Sequence, residues 1–304
     1  MSTPKYVFLN GEIVPWDQGT VHITTGAFKF GAAVFEGVRG YWNEEQEQIY
    51  VFRLQEHMDR LVHSQVFMRF EQIMDTAQIG EQTLALIRAN EHRENIHIVN
   101  TVFVNGPGGP VARGPVGASI TTGPWAGRPH TANGCSAQVS SWQRVPDTSM
   151  PMRIKCNANY QNGRLAGIQA LEDGYDTALM LNTRGKVAEG PGMCFFMIRG
   201  GKVVTPSVSN DILESITRAT MLEIIPEYLD MEVVERDIDR SELLSADEAF
   251  YCGTAWEVTP ITSVDKVALG DGTVGPIVGQ LQKTYFDIVT GRINAHPEWR
   301  TAVY

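Results

Sequence analysis

The stretch MRIKCNANYQNGRLA, residues 152–166, places Lys155 in a segment with few other charges. A lysine amine that is desolvated can lose its proton near neutral pH and condense with a carbonyl group to form a Schiff base. A lysine at the end of a strand more often extends into solvent. Lys155 alone is compatible with both interpretations, so other parts of the chain must decide between them.

Three further segments carry groups that suit a phosphate or a ring nitrogen. SITRATMLEII, residues 215–225, predicts a helix whose first N–H groups could bind an anion, although Ser215 is also an ordinary N-cap residue. GTAWEVTP, residues 253–260, predicts a glycine-led turn in which Thr254 and nearby amides form a second anion site, or simply a β-turn. Glu189 precedes a Gly-Pro-Gly bend, where a carboxylate could face a ring nitrogen or solvent.

Other motifs argue against competing enzyme classes. GDGTVG, residues 270–275, matches G-x-G-x-x-G, but only about one helix follows it, which leaves no room for a dinucleotide-binding βαβ unit. We interpret these glycines as a hairpin turn and a helix entry. The sequence contains no HExxH, GxSxG or Walker A motif. Its four cysteines form no CxxC pair, which predicts reduced thiols and no metal site.

The composition is typical of a soluble globular protein. Of the 304 residues, 43% are hydrophobic and 20% are charged, and the formal net charge is -10. This acidic balance argues against a nucleic-acid partner, which requires a basic surface. The start of the chain does not resemble a signal peptide, and no run of about eighteen apolar residues occurs, so we expect a cytoplasmic protein without membrane contact.

The elements that would position these residues are short and of both types. YVFLNGEIV, with Asn10-Gly11 at its centre, predicts a β-hairpin. LQEHMDRLVHSQVF, residues 54–67, predicts an amphipathic helix, since its apolar residues recur at helical spacing: Leu54, Met58, Leu61, Val62 and Val66. The dense glycine and proline of residues 106–118 predict a mobile surface loop.

The length of the chain predicts two domains. Residues 124–134, PWAGRPHTANG, are rich in proline and glycine and have no periodic pattern, so we expect the interdomain linker there. Residues 1–123 would form a small N-terminal α/β domain and residues 135–304 a larger domain. Short strands mixed with helices indicate an α+β or mixed α/β fold or an antiparallel-rich barrel, not a doubly wound sheet.

Nine separated blocks, in order along nearly the whole chain, resemble the fold type IV pyridoxal-phosphate enzymes, and most closely the branched-chain amino-acid aminotransferases of class IV. The blocks are NGEIVPWD, FGAAVFEGVRGY, VFRLQEHMDRL, VSSW, IKCNANYQNGRLA, LNTRGKVAEGPG, SITRATMLEI, ADEAFYCGTAWEVTPI and VDKVALGDGTVGPI. The resemblance implies a two-domain fold like that of D-amino-acid aminotransferase, with a small α/β domain and a larger, β-barrel-like domain that binds pyridoxal 5'-phosphate.

The resemblance also assigns roles to single residues. Lys155 would hold the cofactor as a Schiff base and later carry a proton between the substrate and the cofactor. Glu189 would hydrogen-bond the pyridine nitrogen, and Tyr160 would face the phenolic oxygen. The phosphate would be bound by Arg60, by the amides of Ile216 and Thr217, and by the Thr254 hydroxyl.

The substrate positions depart from the family pattern. Where many branched-chain enzymes have Tyr-x-Arg on one strand, this chain has His97-Ile98-Val99, and a usual tyrosine is Phe30. Either carboxylate recognition has moved to Arg113, Arg39 or the amides near Ala255, or the amino donor lacks a carboxylate. The pocket residues that we expect are Phe30, Phe35, Arg39, His97, Val99, Arg113, Trp125, Ala255 and Trp256. Trp256 replaces a small residue of the family.

These residues predict a transaminase that passes an amino group from a hydrophobic, branched-chain-like amino acid to a 2-oxo acid in two half-reactions. An (R)-selective amine or D-amino-acid transaminase on the same fold is the alternative, since the Tyr-x-Arg pair is absent. A lyase resembling aminodeoxychorismate lyase and a non-catalytic binding protein are more distant alternatives. The family forms dimers at least, so we expect a homodimer or a higher homo-oligomer.

Overall fold

The computed structural model describes residues 3–304. The strands are β1 Tyr6–Leu9, β2 Glu12–Pro15, β3 Ala33–Asn43, β4 Gln48–Phe52, β5 Ile96–Val104, β6 Val116–Pro124, β7 Cys135–Val139, β8 Thr177–Leu179, β9 Cys194–Arg199, β10 Lys202–Thr205, β11 Val233–Glu235, β12 Glu248–Gly253, β13 Glu257–Val264, β14 Val267–Ala268 and β15 Arg300–Ala302. The α-helices are α1 Gly26–Phe30, α2 Leu54–Phe67, α3 Thr76–Ala89, α4 Pro129–Asn133, α5 Tyr160–Glu172, α6 Ile216–Leu229 and α7 Pro276–Val289. Within residues 3–304, none of these helices combines the length and apolar character needed to cross a membrane.

The chain packs into two compact units that are not continuous in sequence. The first contains the described residues up to Ala126 together with residues 154–158 and 287–304, and the second contains residues 127–153 and 159–286. The passage from the first unit to the second lies inside the predicted linker 124–134, part of which forms α4. The two predicted domains, residues 1–123 and 135–304, were each continuous in sequence. Residues 154–158 instead pack in the first unit because Cys156 pairs with Val34 of β3, and the last residues do so because β15 pairs with β4.

The first unit is built on a seven-stranded sheet in the order β15-β4-β3-β5-β6-β1-β2, with every pair antiparallel. The predicted hairpin is confirmed: Leu9 of β1 pairs with Glu12 of β2, and Asn10 and Gly11 both have positive φ, as this tight turn requires. Helices α2 and α3 pack on one face of the sheet.

The predicted helix over residues 54–67 is confirmed with the same bounds as α2. Leu54, Met58 and Leu61 are buried as the spacing predicts, but Val66 is 56% exposed. The buried stripe continues instead through polar side chains, namely His57, Ser64 and Gln65. Apolar periodicity could not show this, since it assumes that the buried face is apolar throughout.

The second unit is built on an eight-stranded mixed sheet in the order β11-β10-β9-β12-β13-β7-β8, with β14 paired to β13. Three of its strand pairs are parallel: β10 with β11, β13 with β7, and β7 with β8. Its core is apolar and includes Phe195, Met197, Tyr251 and Ile261. Both units thus contain α-helices and β-strands, which confirms the predicted mixed α and β class.

The GDGTVG segment ends in a helix entry, as predicted. Gly270 and Gly272 have φ of 53° and 81°, values that glycine adopts without strain, and α7 begins just after the segment at Pro276. The Glu248 carboxylate accepts hydrogen bonds from the Ile277 and Val278 N–H groups. A side chain of the protein therefore caps the start of this helix, and the glycines serve the turn.

Candidate active site

Lys155 lies in an extended segment of the first unit beside β3. Its carbonyl accepts a hydrogen bond from the Phe35 N–H at 3.0 Å, and its own N–H donates to the Ser64 hydroxyl at 3.4 Å. The amine lies 4.9 Å from the centroid of the Phe35 ring, and the residue is half-buried. The backbone is therefore held on two sides, and an aromatic face shields the amine from part of the solvent.

Arg60, the predicted phosphate ligand, is held by a carboxylate within the same unit. Its Nε and Nη2 donate to the two oxygens of Glu36, each at 2.7 Å, and His57 Nδ1 lies 2.7 Å from Glu36 Oε2. Burial alone would raise the pKa of Glu36, but Arg60 and His57 outweigh it and lower the pKa to about 2. Burial lowers the pKa of His57 in spite of Glu36, so a neutral imidazole donates to the carboxylate.

Four of the expected pocket residues share one face of the first sheet, and a fifth, Trp125, follows the end of β6. Arg39 pairs with His97 across β3 and β5, and Phe35 and Val99 lie on the same face by the two-residue alternation of strands. Arg39 is 2% exposed and donates from Nη2 to the Trp125 carbonyl at 3.1 Å. The His97 and Trp125 rings are 5.6 Å apart. Buried Arg39 and the rings of Phe35 and His97 therefore lie on the sheet face that also carries Val99.

Phe30 and Arg113 make contacts away from this cluster. Phe30 ends α1 with 41% of its surface exposed, and the Lys29 amine lies 5.0 Å from its ring centroid. Arg113 is exposed, and its Nε donates to the Arg69 carbonyl at 2.6 Å. The Glu71 N–H donates to the Arg113 carbonyl at 3.0 Å, so two loops of the first unit are joined at Arg113. A role for Arg113 in binding a substrate acid stays a prediction.

In the second unit, Glu189 is 2% exposed and forms a buried ion pair with Arg144. The Leu213 N–H lies 3.3 Å from Glu189 Oε2, and the Cys194 thiol lies 3.6 Å from the same oxygen. Burial raises the pKa of Glu189, and Arg144 opposes that rise. Burial also raises the pKa of Cys194 to about 12, so this thiol donates to the carboxylate as a neutral group.

The start of α6 follows this carboxylate along the chain. Ser215 is the N-cap, and its hydroxyl accepts a hydrogen bond from the Arg218 N–H at 3.3 Å. Helix geometry leaves the first N–H groups, those of Ile216 and Thr217, without acceptors inside the helix, at its positive end. Both residues are buried, at 8% and 3% exposure. The predicted anion site is therefore a capped helix start within a mostly enclosed environment.

Tyr160 and Thr254 lie beside the bend that follows Glu189. A Cβ placed on Gly192 would lie 3.5 Å from Tyr160 Cε1, and a Cβ placed on Gly253 would lie 3.4 Å from the Gly192 carbonyl oxygen. The start of α5, the Gly-Pro-Gly bend and the turn that carries Thr254 and Ala255 therefore meet at Gly192. The second unit thus contains five of the residues predicted to bind the cofactor, whereas Arg60 and Lys155 lie in the first unit. The five are Tyr160, Glu189, Ile216, Thr217 and Thr254.

Trp256 packs within the second unit. The Arg128 guanidinium lies 4.4 Å from its ring centroid, the His130 ring is nearly parallel at 6.5 Å, and Tyr251 contacts it edge to face at 6.0 Å. The indole also packs against the apolar core of the unit. These contacts explain how a large side chain is accommodated at this position. A role in narrowing the substrate pocket stays a prediction.

Comparison with known proteins places these residues in a family. The family model described as "Amino-transferase class IV" matches residues 33–264. The chain belongs to the class IV aminotransferases. It is 39% identical to a probable branched-chain-amino-acid aminotransferase of Aquifex aeolicus, over 98% of this chain and 97% of that protein. It is 34% identical to the branched-chain-amino-acid aminotransferase of Escherichia coli K12, over 98% of each chain.

The fold agrees with this assignment. A crystal structure of the branched-chain amino acid aminotransferase from Thermobaculum terrenum in its PLP-form superposes with a TM-score of 0.95, at 41% identity over 100% of both chains. The predicted family, fold class and aminotransferase activity are therefore confirmed. The roles of individual residues in the class IV aminotransferase site stay predictions, which the contacts within each unit support.

Sequence reasoning about this class IV aminotransferase missed four residues that hold the predicted ligands. Glu36 accepts hydrogen bonds from Arg60, His57 contacts Glu36, and Arg144 and Cys194 contact Glu189. One signal was available, because His57 precedes Arg60 by three residues on a helix and so lies on the same face. Arg144 gave no comparable signal, since 45 residues separate it from Glu189 in the chain.

Proposed function

We propose that the protein is a pyridoxal-phosphate-dependent transaminase that passes the amino group of a hydrophobic, branched-chain-like amino acid to a 2-oxo acid. The observation that carries the proposal is the buried Glu189 carboxylate, which lies close in the second unit to the start of α6 through its contact with Leu213. A buried carboxylate beside a helix start suits a ring nitrogen and a phosphate of one cofactor.

The residues present fit this cofactor. In the first unit, Arg60 would bind the phosphate through its planar guanidinium. In the second unit, the Ile216 and Thr217 amides and the Thr254 hydroxyl would bind the phosphate, Glu189 would hold a proton at the ring nitrogen, and Tyr160 would contact the phenolic oxygen. When bound, pyridoxal phosphate supplies an electron-withdrawing ring that makes the substrate α-proton removable.

Lys155 would have two tasks in this reaction. Its Nζ would hold the cofactor covalently and, once displaced by the amino donor, would carry a proton from the substrate α-carbon to the cofactor in the first half-reaction and in the reverse direction in the second. The contacts of its backbone with Phe35 and Ser64 support the second task, since they fix the point from which the side chain extends. Because donor and acceptor use the site in turn, ping-pong kinetics are expected.

Two relatives and one face of the sheet in the first unit support the proposed substrate class. Both curated relatives are named as branched-chain-amino-acid aminotransferases. Phe35, Val99 and Trp125 would provide apolar contacts for the side chain of the donor. Buried Arg39, beside His97, would bind its carboxylate in place of the missing Tyr-x-Arg pair. The preferred substrates would therefore be leucine-like L-amino acids and 2-oxo acids.

An (R)-selective amine or D-amino-acid transaminase is the second candidate. The observation that favours it is Val99, which pairs with Gly37 on one side and Thr121 on the other at the position where many relatives have arginine. Without a cation at this point, a donor that carries an apolar group instead of a carboxylate would meet no unsatisfied charge.

Two measurements test the proposal. Reduction of the cofactor-loaded protein with borohydride, followed by peptide mapping, is expected to label Lys155, and Lys155→Ala is expected to abolish the visible absorbance. Titration with L-leucine, D-alanine and (R)-1-phenylethylamine then identifies the donor through the loss of that absorbance. A labelled residue other than Lys155 contradicts the assignment, and a response to (R)-1-phenylethylamine without one to L-leucine selects the second candidate.

We also propose a homodimer or a higher homo-oligomer in the cytoplasm, without nucleic-acid partners. The first unit exposes large apolar side chains, including 71% of Phe28 and 68% of Ile23. Phe28 and Trp16 line a cavity of about 610 Å³ in this unit. Such a surface favours coverage by another chain. A sedimentation coefficient that corresponds to one chain contradicts the proposal.

A further inference from the structure

A buried carboxylate connects helix α2 to strand β3 in the first unit. Glu36, on β3, is 0% exposed and accepts hydrogen bonds from Arg60 and His57, two residues of α2 that lie three positions apart. Such spacing places both side chains on one face of the helix. The Glu36 carboxylate therefore joins the side chains of Arg60 and His57, close to the segment that carries Lys155.

The geometry of the pair restricts the guanidinium of Arg60. Its Nε and Nη2 donate to Glu36 Oε1 and Oε2 respectively, each at 2.7 Å, which is the bidentate arrangement of a planar fork with a carboxylate. This arrangement fixes the plane of the guanidinium and the edge that meets Glu36. The opposite edge, which includes Nη1, must then extend away from the carboxylate. His57 donates from Nδ1 to the same carboxylate and restricts its rotation in turn.

We propose that Glu36 and His57 are positioning residues that orient Arg60 for the phosphate of the cofactor. The inference rests on the proposed function, because it requires a phosphate at Arg60. Two effects oppose each other when Glu36 loses its charge. Removal of a nearby anion strengthens the attraction of Arg60 for phosphate, whereas loss of the two hydrogen bonds allows its long side chain to sample many rotamers.

The orienting effect is expected to exceed the electrostatic one. Removal of a group that orients a metal ligand typically weakens metal binding by about 10- to 100-fold, and we expect an effect of similar size for an arginine that binds a phosphate. Glu36→Gln is therefore expected to raise the dissociation constant for pyridoxal phosphate by about tenfold or more. A purely electrostatic role predicts the opposite sign, namely tighter binding of the phosphate dianion.

The variants separate orientation from general damage to the fold. His57→Leu removes the donor to Glu36, whereas His57→Asn keeps a donor near the Nδ1 position and is expected to recover affinity. Glu56→Gln is the matched control, since it removes a carboxylate from the same helix, where Glu56 is 42% exposed and pairs with Arg53 at 3.6 Å. Should Glu36→Gln fail to fold, the comparison of His57→Leu with His57→Asn tests the same inference.

The experiment compares pyridoxal phosphate with pyridoxal, which lacks the phosphate. Each apoprotein is titrated with both compounds, the visible absorbance gives the dissociation constants, and thermal unfolding of each apoprotein is measured in parallel. The expected result is weaker binding of pyridoxal phosphate by Glu36→Gln and His57→Leu, with unchanged binding of pyridoxal and wild-type behaviour of Glu56→Gln.

The possible failures can be told apart. Equal or tighter binding of pyridoxal phosphate by Glu36→Gln and His57→Leu overturns the inference, as does an equal loss for both compounds, which indicates general damage. If the wild-type protein binds neither compound and borohydride leaves Lys155 unlabelled, the proposed function itself is overturned, together with the inference that depends on it.

Discussion

The buried Glu36 carboxylate should make the stability of the apoprotein depend on pH in a way that one substitution can isolate. Its pKa in the folded protein is about 2, against an ordinary value of 4.5. The two values differ by about 2.5, which corresponds to ~3 kcal/mol of stability near pH 7. Glu36→Gln removes the titrating group, so this contribution is expected to be absent from the variant.

The sign follows from the direction of the pKa change. Because the folded pKa lies below the unfolded one, the stabilisation is fully present above the unfolded pKa and is lost as the pH falls toward about 2. The free energy of unfolding of the wild-type protein should therefore exceed that of Glu36→Gln most strongly near neutral pH. The difference should shrink steadily below about pH 5.

Urea denaturation of the two apoproteins at several pH values measures this difference. The control is Glu56→Gln, which removes a carboxylate from a partly exposed ion pair on the same helix and should change stability by no more than about 1 kcal/mol. A gap between wild type and Glu36→Gln that is the same at about pH 7 and about pH 3 would refute the reasoning, because it would show that Glu36 stabilises the fold without its charge.

Two further predictions concern the second unit. Arg144→Met leaves Glu189 buried without its cation and should lower the free energy of unfolding by about 3–5 kcal/mol. The double variant Arg144→Met/Glu189→Gln should recover much of that loss. Urea denaturation of the wild-type protein and both variants measures these differences, and a double variant as unstable as Arg144→Met contradicts the prediction. Ser215→Ala removes the side chain that caps α6 and should cost about 1 kcal/mol in the same assay; a cost near zero would mean that Ser215 does not stabilise the helix start.

Local sequence patterns predicted several elements with little error. The bounds of α2 agree with the apolar spacing of residues 54–67, and the Asn10-Gly11 step correctly marked the turn between β1 and β2. Helical periodicity and the φ preferences of turn residues act over a few residues, so they can be read directly from the chain. The same patterns failed at Val66, because polar residues occupy part of the buried face of α2.

By itself, the sequence determined the mixed fold class, the family and the set of residues expected to bind the cofactor. Only the tertiary structure decided that Lys155 packs beside β3 in the first unit, that Glu36 holds Arg60, and that Arg144 neutralises Glu189. The physical reason is distance along the chain. The partners in these ion pairs are separated by 24 and 45 residues, and a buried charge selects its partner by proximity after the chain has folded, not by any pattern in the neighbouring sequence.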